Sequence, residues 1–126
     1  MKIVRNVTFL SLSVLISLTV LGCSKKADET KPVSEVKDEA AQMDTKELRS
    51  AAMRYKEAIT AKTGELERIT AKLKEIPVTE MLSEEAKGLK ADIEDLNKSV
   101  SALRERFDVY LQELRKKGGD TSGLEI

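Results

Sequence analysis

Residues 66–89, LERITAKLKEIPVTEMLSEEAKGL, decide the fold. Before Pro77, the residues Leu66, Ile69, Leu73 and Ile76 recur at steps of three and four; after it, Leu82, Ala86 and Leu89 resume the same rhythm. That spacing puts apolar side chains on one stripe of a helix, the seam of a left-handed coiled coil. Pro77 has no amide to donate, its ring clashes with the preceding turn, and it biases Ile76 away from helical angles. The stretch therefore reads as two helices joined by a short turn. A short helix–helix connection places its helices side by side and antiparallel.

Outward from the turn, the first helix is expected over 44–76. Asp44 can accept from the free amides of the first turn, and Glu47 can complete a capping box. The seam runs Leu48, Ala52, Tyr55, Ile59, Lys62, Leu66, Ile69, Leu73, Ile76, interrupted only by Lys62. Lys62 is expected to lay its stem over the seam opposite Leu96 and reach Asp92 or Asp95 with its ammonium. The turn is read as 77–79 and the second helix as 80–117, capped by Thr79. Ser83, followed by Glu84 and Glu85, is the alternative start; Thr79 is preferred because it brings Leu82 into the seam. The second seam is Leu82, Ala86, Leu89, Ile93, Leu96, Val100, Leu103, Phe107, Tyr110, Leu114. Arg115, Lys116 and Lys117 favour its negative end, and Gly118 suits a left-handed cap. The fold class is all-α, an antiparallel two-helix coiled-coil hairpin. The expected register sets Leu73 against Ala86, Ile69 against Leu89, Tyr55 against Leu103 and Ala52 against Phe107. Residues 118–126, GGDTSGLEI, read as a disordered tail.

The chain has 126 residues, 35% of them charged and 3% aromatic, with neither Trp nor His. Such a composition suits long helices that bury one stripe rather than a thick globular core. Its 22 basic and 22 acidic residues balance to a formal charge of +0. That balance indicates neither a nucleic-acid partner nor a polybasic membrane surface.

The other end of the chain carries a different signal. Lys2 and Arg5 precede an apolar run from Val7 to Gly22 that is broken only by hydroxyls. This is the layout of a secretory signal peptide, and it is short of the roughly 20 apolar residues a bilayer span needs. The run ends Val20-Leu21-Gly22-Cys23, and Cys23 is the single cysteine. Val-Leu-Gly-Cys resembles the lipobox of bacterial lipoproteins. The resemblance implies cleavage between Gly22 and Cys23, a diacylglycerol on the Cys23 thiol and an acyl group on its new amino terminus. Leu is more usual where Val20 stands and a smaller residue where Leu21 stands. Residues 1–22 are then signal peptide, and 23–43 are the lipidated cysteine and a flexible polar tether. Ser24 after the cysteine resembles the outer-membrane class, which places the protein on the periplasmic face of that membrane if the source is Gram-negative. The competing reading is an uncleaved signal anchor. A long parallel oligomer like the major murein lipoprotein is disfavoured by Pro77 and by a chain ending in Ile126 instead of lysine.

Catalysis is not expected. There is no His to serve as base or ligand, and the one thiol is taken by lipid. The acidic groups Glu84/Glu85 and Asp92/Glu94/Asp95 read as solvated helix faces, and residues 92–97 lack the glycine turn of a calcium loop. No cofactor is expected beyond the covalent lipid, no metal, and no small-molecule substrate. The expected function is a lipid-anchored, non-catalytic coiled-coil interaction module of the cell envelope. The alternative is an accessory subunit or inhibitor of an envelope enzyme or secretion complex, acting through the hairpin tip. Two contact surfaces are expected: the tip residues Val78, Glu80, Met81, Glu84 and Glu85, and the seam-flank alanines Ala51 and Ala58. Through the alanines the hairpin would pair with a second copy or an envelope partner.

Overall fold

The computed structural model describes residues 26–126; the expected signal segment, Gly22 and Cys23 lie outside the described residues. The described chain is all-helical, with no strand among these residues. It comprises α1 (Val33–Gln42), α2 (Thr45–Glu75), a single 3-10 turn (Val78–Glu80) and α3 (Glu84–Lys116). At 1.5 Å per residue α2 and α3 are each about 45–50 Å long.

Local chemistry sets the ends of α2. The Asp44 carboxylate accepts from the Glu47 amide (2.8 Å), and the Glu47 carboxylate accepts from the Asp44 amide (3.0 Å). The helix closes at Ile76, whose extended backbone precedes Pro77. The second long helix begins later than 80. Ser83 is its N-cap, its hydroxyl accepting from the Ala86 amide at 3.2 Å, with Glu84 and Glu85 in the first turn. Residues 78–80 instead coil into the 3-10 turn, where Glu80 N donates to Pro77 C=O (2.8 Å). Leu82 is thereby excluded from the seam. The far end behaves as a glycine cap: Gly118 takes φ 71°, and its amide and that of Gly119 donate to Arg115 and Leu114 carbonyls.

α2 and α3 lie alongside each other in opposite directions. The Tyr55 and Tyr110 rings meet with centroids 5.4 Å apart, while further along Lys62 and Ile69 line the same cleft as Asp92 and Leu96. Tyr55 was expected opposite Leu103; its ring reaches Tyr110 because helix side chains lean towards their own N-terminus, so rings from antiparallel helices converge across turns.

Two segments expected to be loose are folded onto this pair. The tether reading of 23–43 gives way, from residue 26 onward, to a strap and α1. Val36 and Ala40 of α1 are buried in the same core as Leu48, Tyr55, Leu103, Phe107 and Leu114. Both ends of α1 are pinned near α3. Arg106 Nε donates to the Lys31 carbonyl (2.8 Å), and Lys117 Nζ donates to the Ala41 and Met43 carbonyls (2.7 and 2.6 Å). The latter are carbonyls that a helix C-terminus leaves without an internal partner.

The tail reading of 118–126 is likewise corrected. Leu124 is 1% exposed, packed in the core cluster. Arg49 donates to the carbonyls of Asp120 and Ser122 (2.7 Å each), and Lys56 to that of Gly123 (2.8 Å). One apolar anchor and two charged side chains, giving three hydrogen bonds, hold a tail that has no helix or strand of its own. Its path needs Gly119: a Cβ there would collide with the Leu114 side chain, and Thr45 closes the other side.

The core is therefore lopsided. The half containing α1 and the tail buries Leu48, Ile59, Phe107 and Leu114, whereas Leu66, Ile69, Leu73, Leu89 and Ile93 of the other half are only half-buried. Leu124→Ala is expected to cost about 2–4 kcal/mol, read as a lower urea midpoint. A tail without structure would leave the midpoint unchanged.

Candidate functional site

Two regions combine polar chemistry or exposure in a way that packing alone does not require. The first is the turn between α2 and α3. Val78 is 90% and Leu82 83% exposed, and these two are the most exposed large apolar side chains among the described residues. Pro77 is exposed beside them, and Met81 is half-buried. The polar rim carries both signs: Glu75, Glu80, Glu84 and Glu85 are exposed, and so are Lys74, Lys87 and Lys90. Glu84 pairs with Lys87 at 2.9 Å, an exposed contact worth little energetically. Lys90 Nζ donates to the Met81 carbonyl (3.2 Å) and steadies the last residues of the turn. The result is a small apolar cap inside a charged collar of both signs. Of the expected tip residues, Val78, Glu80, Glu84 and Glu85 are brought together here in the open. Met81 is partly withdrawn, and Leu82, which had been assigned to the seam, takes its place.

The second region is the strap of residues 26–32. The Tyr55 hydroxyl donates to the Asp28 carbonyl (2.9 Å) and accepts from the Asp28 amide (3.2 Å). Glu29 accepts from the Ser99 hydroxyl and lies 3.8 Å from Lys62 Nζ. Lys62 thus finds its carboxylate on the strap; the expected partners Asp92 and Asp95 only line the cleft it borders. Lys31 pairs with Glu39 of α1, and that contact holds its ammonium above the usual lysine range. Arg106 is 7% exposed and spends its donors on the carbonyls of Lys31 and Ala102. Two hydrogen bonds from Thr30 keep the Asp28 carboxyl below its ordinary value.

The tyrosines beneath the strap are shifted in the opposite sense. Burial, reinforced by the Glu39 carboxylate, pushes the Tyr110 phenol up to about 12. Burial also raises Tyr55. Among the described residues no buried side-chain nitrogen or oxygen lacks a partner. The chemistry of this region is that of a clip: its donors and acceptors answer one another and hold the strap to the middle of the long helices.

The seam-flank alanines lie elsewhere. Ala51 is fully buried in the molecule's own core, and Ala58 packs against that core. The core that α1 and the tail complete encloses Ala51, while Ala58 stays partly exposed at its edge. Gly22 and Cys23 fall outside the described residues. No helix among the described residues is long and apolar enough to cross a membrane. Arg106, Glu29, Lys56 and Leu124 carry contacts that the sequence reading missed. Arg106 and Lys56 stand beside the seam residues Phe107 and Tyr55, where a charged residue reads as a solvated face, and Glu29 and Leu124 lie in polar stretches without periodicity. Comparison with protein-family models, with curated proteins and with solved structures found no match.

The raised Tyr110 phenol makes a pH prediction. A group whose folded value lies above its unfolded one contributes stability that is intact below pH 10 and lost as the pH rises towards 12. Tyr110→Phe is expected to change stability at neutral pH by no more than about 1 kcal/mol. It should flatten the alkaline decline relative to the parent, measured as urea midpoints across that window.

Proposed function

We propose that this protein is a lipid-anchored, non-catalytic interaction module of a bacterial cell envelope. Its signal peptide is removed at Gly22, Cys23 carries diacylglycerol and an N-acyl chain, and in a Gram-negative source the body works from the periplasmic face of the outer membrane. In this reading α2 and α3 form an antiparallel coiled-coil hairpin whose half-buried distal part is an arm, and the arm meets its partner through the tip. The observation that carries the choice of tip is the exposure of Val78 and Leu82 on a surface otherwise dominated by charge. Exposed apolar side chains grouped within a polar rim mark contact sites. The apolar cap with its charged collar fits a partner with an apolar socket and a polar rim.

The alternative of contact through the seam flank is less well supported, since Ala51 is enclosed in the molecule's own core and only Ala58 is partly exposed. The role that follows is that of an accessory subunit: binding energy and placement, with no turnover.

Val78→Glu together with Leu82→Glu is expected to abolish partner capture by a photo-crosslinker placed at Thr79 in intact cells. Because both side chains are exposed, stability should move by less than about 0.5 kcal/mol. Persistent crosslinking with an unchanged partner would overturn the tip assignment. Cys23→Ser is expected to shift the protein from the membrane to the soluble fraction and to end incorporation of labelled fatty acid. Membrane retention of the serine variant would overturn the anchor.

A further inference from the structure

The segment that joins Cys23 to α2 is spent on the body itself. Asp28 is tied to Tyr55 by two hydrogen bonds, and Ala27 packs against the core. Downstream, Glu29 is held by Lys62 and Ser99, Arg106 donates to the Lys31 carbonyl, and α1 buries Val36 and Ala40. Between Ala27 and Cys23 stand only Ser24, Lys25 and Lys26. That length of chain spans at most about 14 Å. From Tyr55 to Glu75, where α2 ends, is about 30 Å at 1.5 Å per residue. With the turn and the sideways offset of the strap, the tip stands roughly 45 Å from Ala27.

From these lengths we infer that the docked strap and α1 act as a clasp on reach, keeping the tip within about 60 Å of the leaflet that holds Cys23. The inference rests on the lipid-anchor reading of Cys23 and on the tip as contact surface. The bound is the same whether the rod stands, leans or lies, because it comes from covalent length and the place where the chain is first held. With the strap and α1 undocked, the roughly twenty residues between Cys23 and Asp44 could extend to about 70 Å, with the whole of α2 beyond them. The tip could then reach about 120 Å, twice as far. Docking therefore confines the layer in which Val78 and Leu82 can meet a partner. The socket that receives them lies within about 60 Å of the same leaflet, and a site farther from that membrane is out of range while the clasp is closed.

The experiment uses the mature lipoprotein reconstituted in vesicles of phosphatidylethanolamine and phosphatidylglycerol that carry an acceptor dye on a fraction of the headgroups. Acylated Cys23 has no free thiol, so Glu80→Cys takes a single donor dye at the exposed tip. Energy transfer is expected to place the tip within about 60 Å of the headgroup plane. Inserting a flexible Gly-Ser segment of about twenty residues after Lys25, with a coil size of about 25 Å, is expected to lower transfer about twofold or more while leaving the core intact. Val36→Asp with Ala40→Asp puts carboxylates into the buried face of α1, and it is expected to lower transfer in the same way without any insertion. Circular dichroism shows whether α2 and α3 survive in that variant; if they do not, the parent distance and the insertion decide alone. A parent tip beyond about 60 Å, or transfer unchanged by the insertion or by a helical double variant, overturns the inference. Mass spectrometry of Cys23 and the Val78→Glu, Leu82→Glu crosslinking test separate the levels. An unmodified thiol overturns the anchor and unchanged crosslinking overturns the tip, while an acylated Cys23 with the wrong distances overturns only the clasp.

Discussion

A pair of helices can bury only one stripe each, and that constraint shapes everything else in this molecule. Two seams facing one another leave a groove on either side, and a small chain with few aromatics has little apolar surface to spare. Around Tyr55, Phe107 and Leu114 both the strap with α1 and the C-terminal tail add to the shared core, and the side chains become fully enclosed. Towards the turn nothing is added, and the seam remains half-open. The molecule is thus a packed base that carries a thinner two-helix extension.

Polar groups, more than apolar ones, hold the added pieces in place. α1 contributes only Val36 and Ala40 to the fully buried set, and the tail only Leu124. Neither would be worth much more than about 2–3 kcal/mol as an isolated anchor. Each is accompanied by charged donors aimed at backbone carbonyls: Arg106 and Lys117 on the α1 side, Arg49 and Lys56 on the tail side. Hydrogen bonds from charged groups are stronger than neutral ones, and here they complete helix ends and turns that would otherwise face water unpaired. The apparent excess of charge in the composition, which suggested only a solvated surface, is partly spent on this internal architecture.

That architecture also bears on placement. A strap locked under Tyr55 and by Glu29 ties the chain to the body from residue 27 onward. In the lipid-anchored reading, the same hydrogen bonds that complete the core therefore govern how far the body extends from the membrane. The tip, with Val78 and Leu82 exposed, is carried at the end of the thinner extension.

The helix boundaries at Asp44, Pro77 and Gly118 were legible in the residues themselves, because a capping box, a missing amide and a left-handed glycine are interactions between near neighbours. The all-helical class followed from the three-four periodicity for the same reason. The start of α3 was a choice between two local caps, Thr79 and Ser83, and it turned on how the chain rounds the turn, which neither cap encodes. The docking of α1, the seating of Leu124, the pairing of Lys62 with Glu29 and the enclosure of Ala51 join residues distant in sequence. Their apolar signals are one or two side chains long, too weak to show as a pattern. They acquire an energy only when the α2–α3 groove exists to receive them, so it took the assembled tertiary structure to decide them.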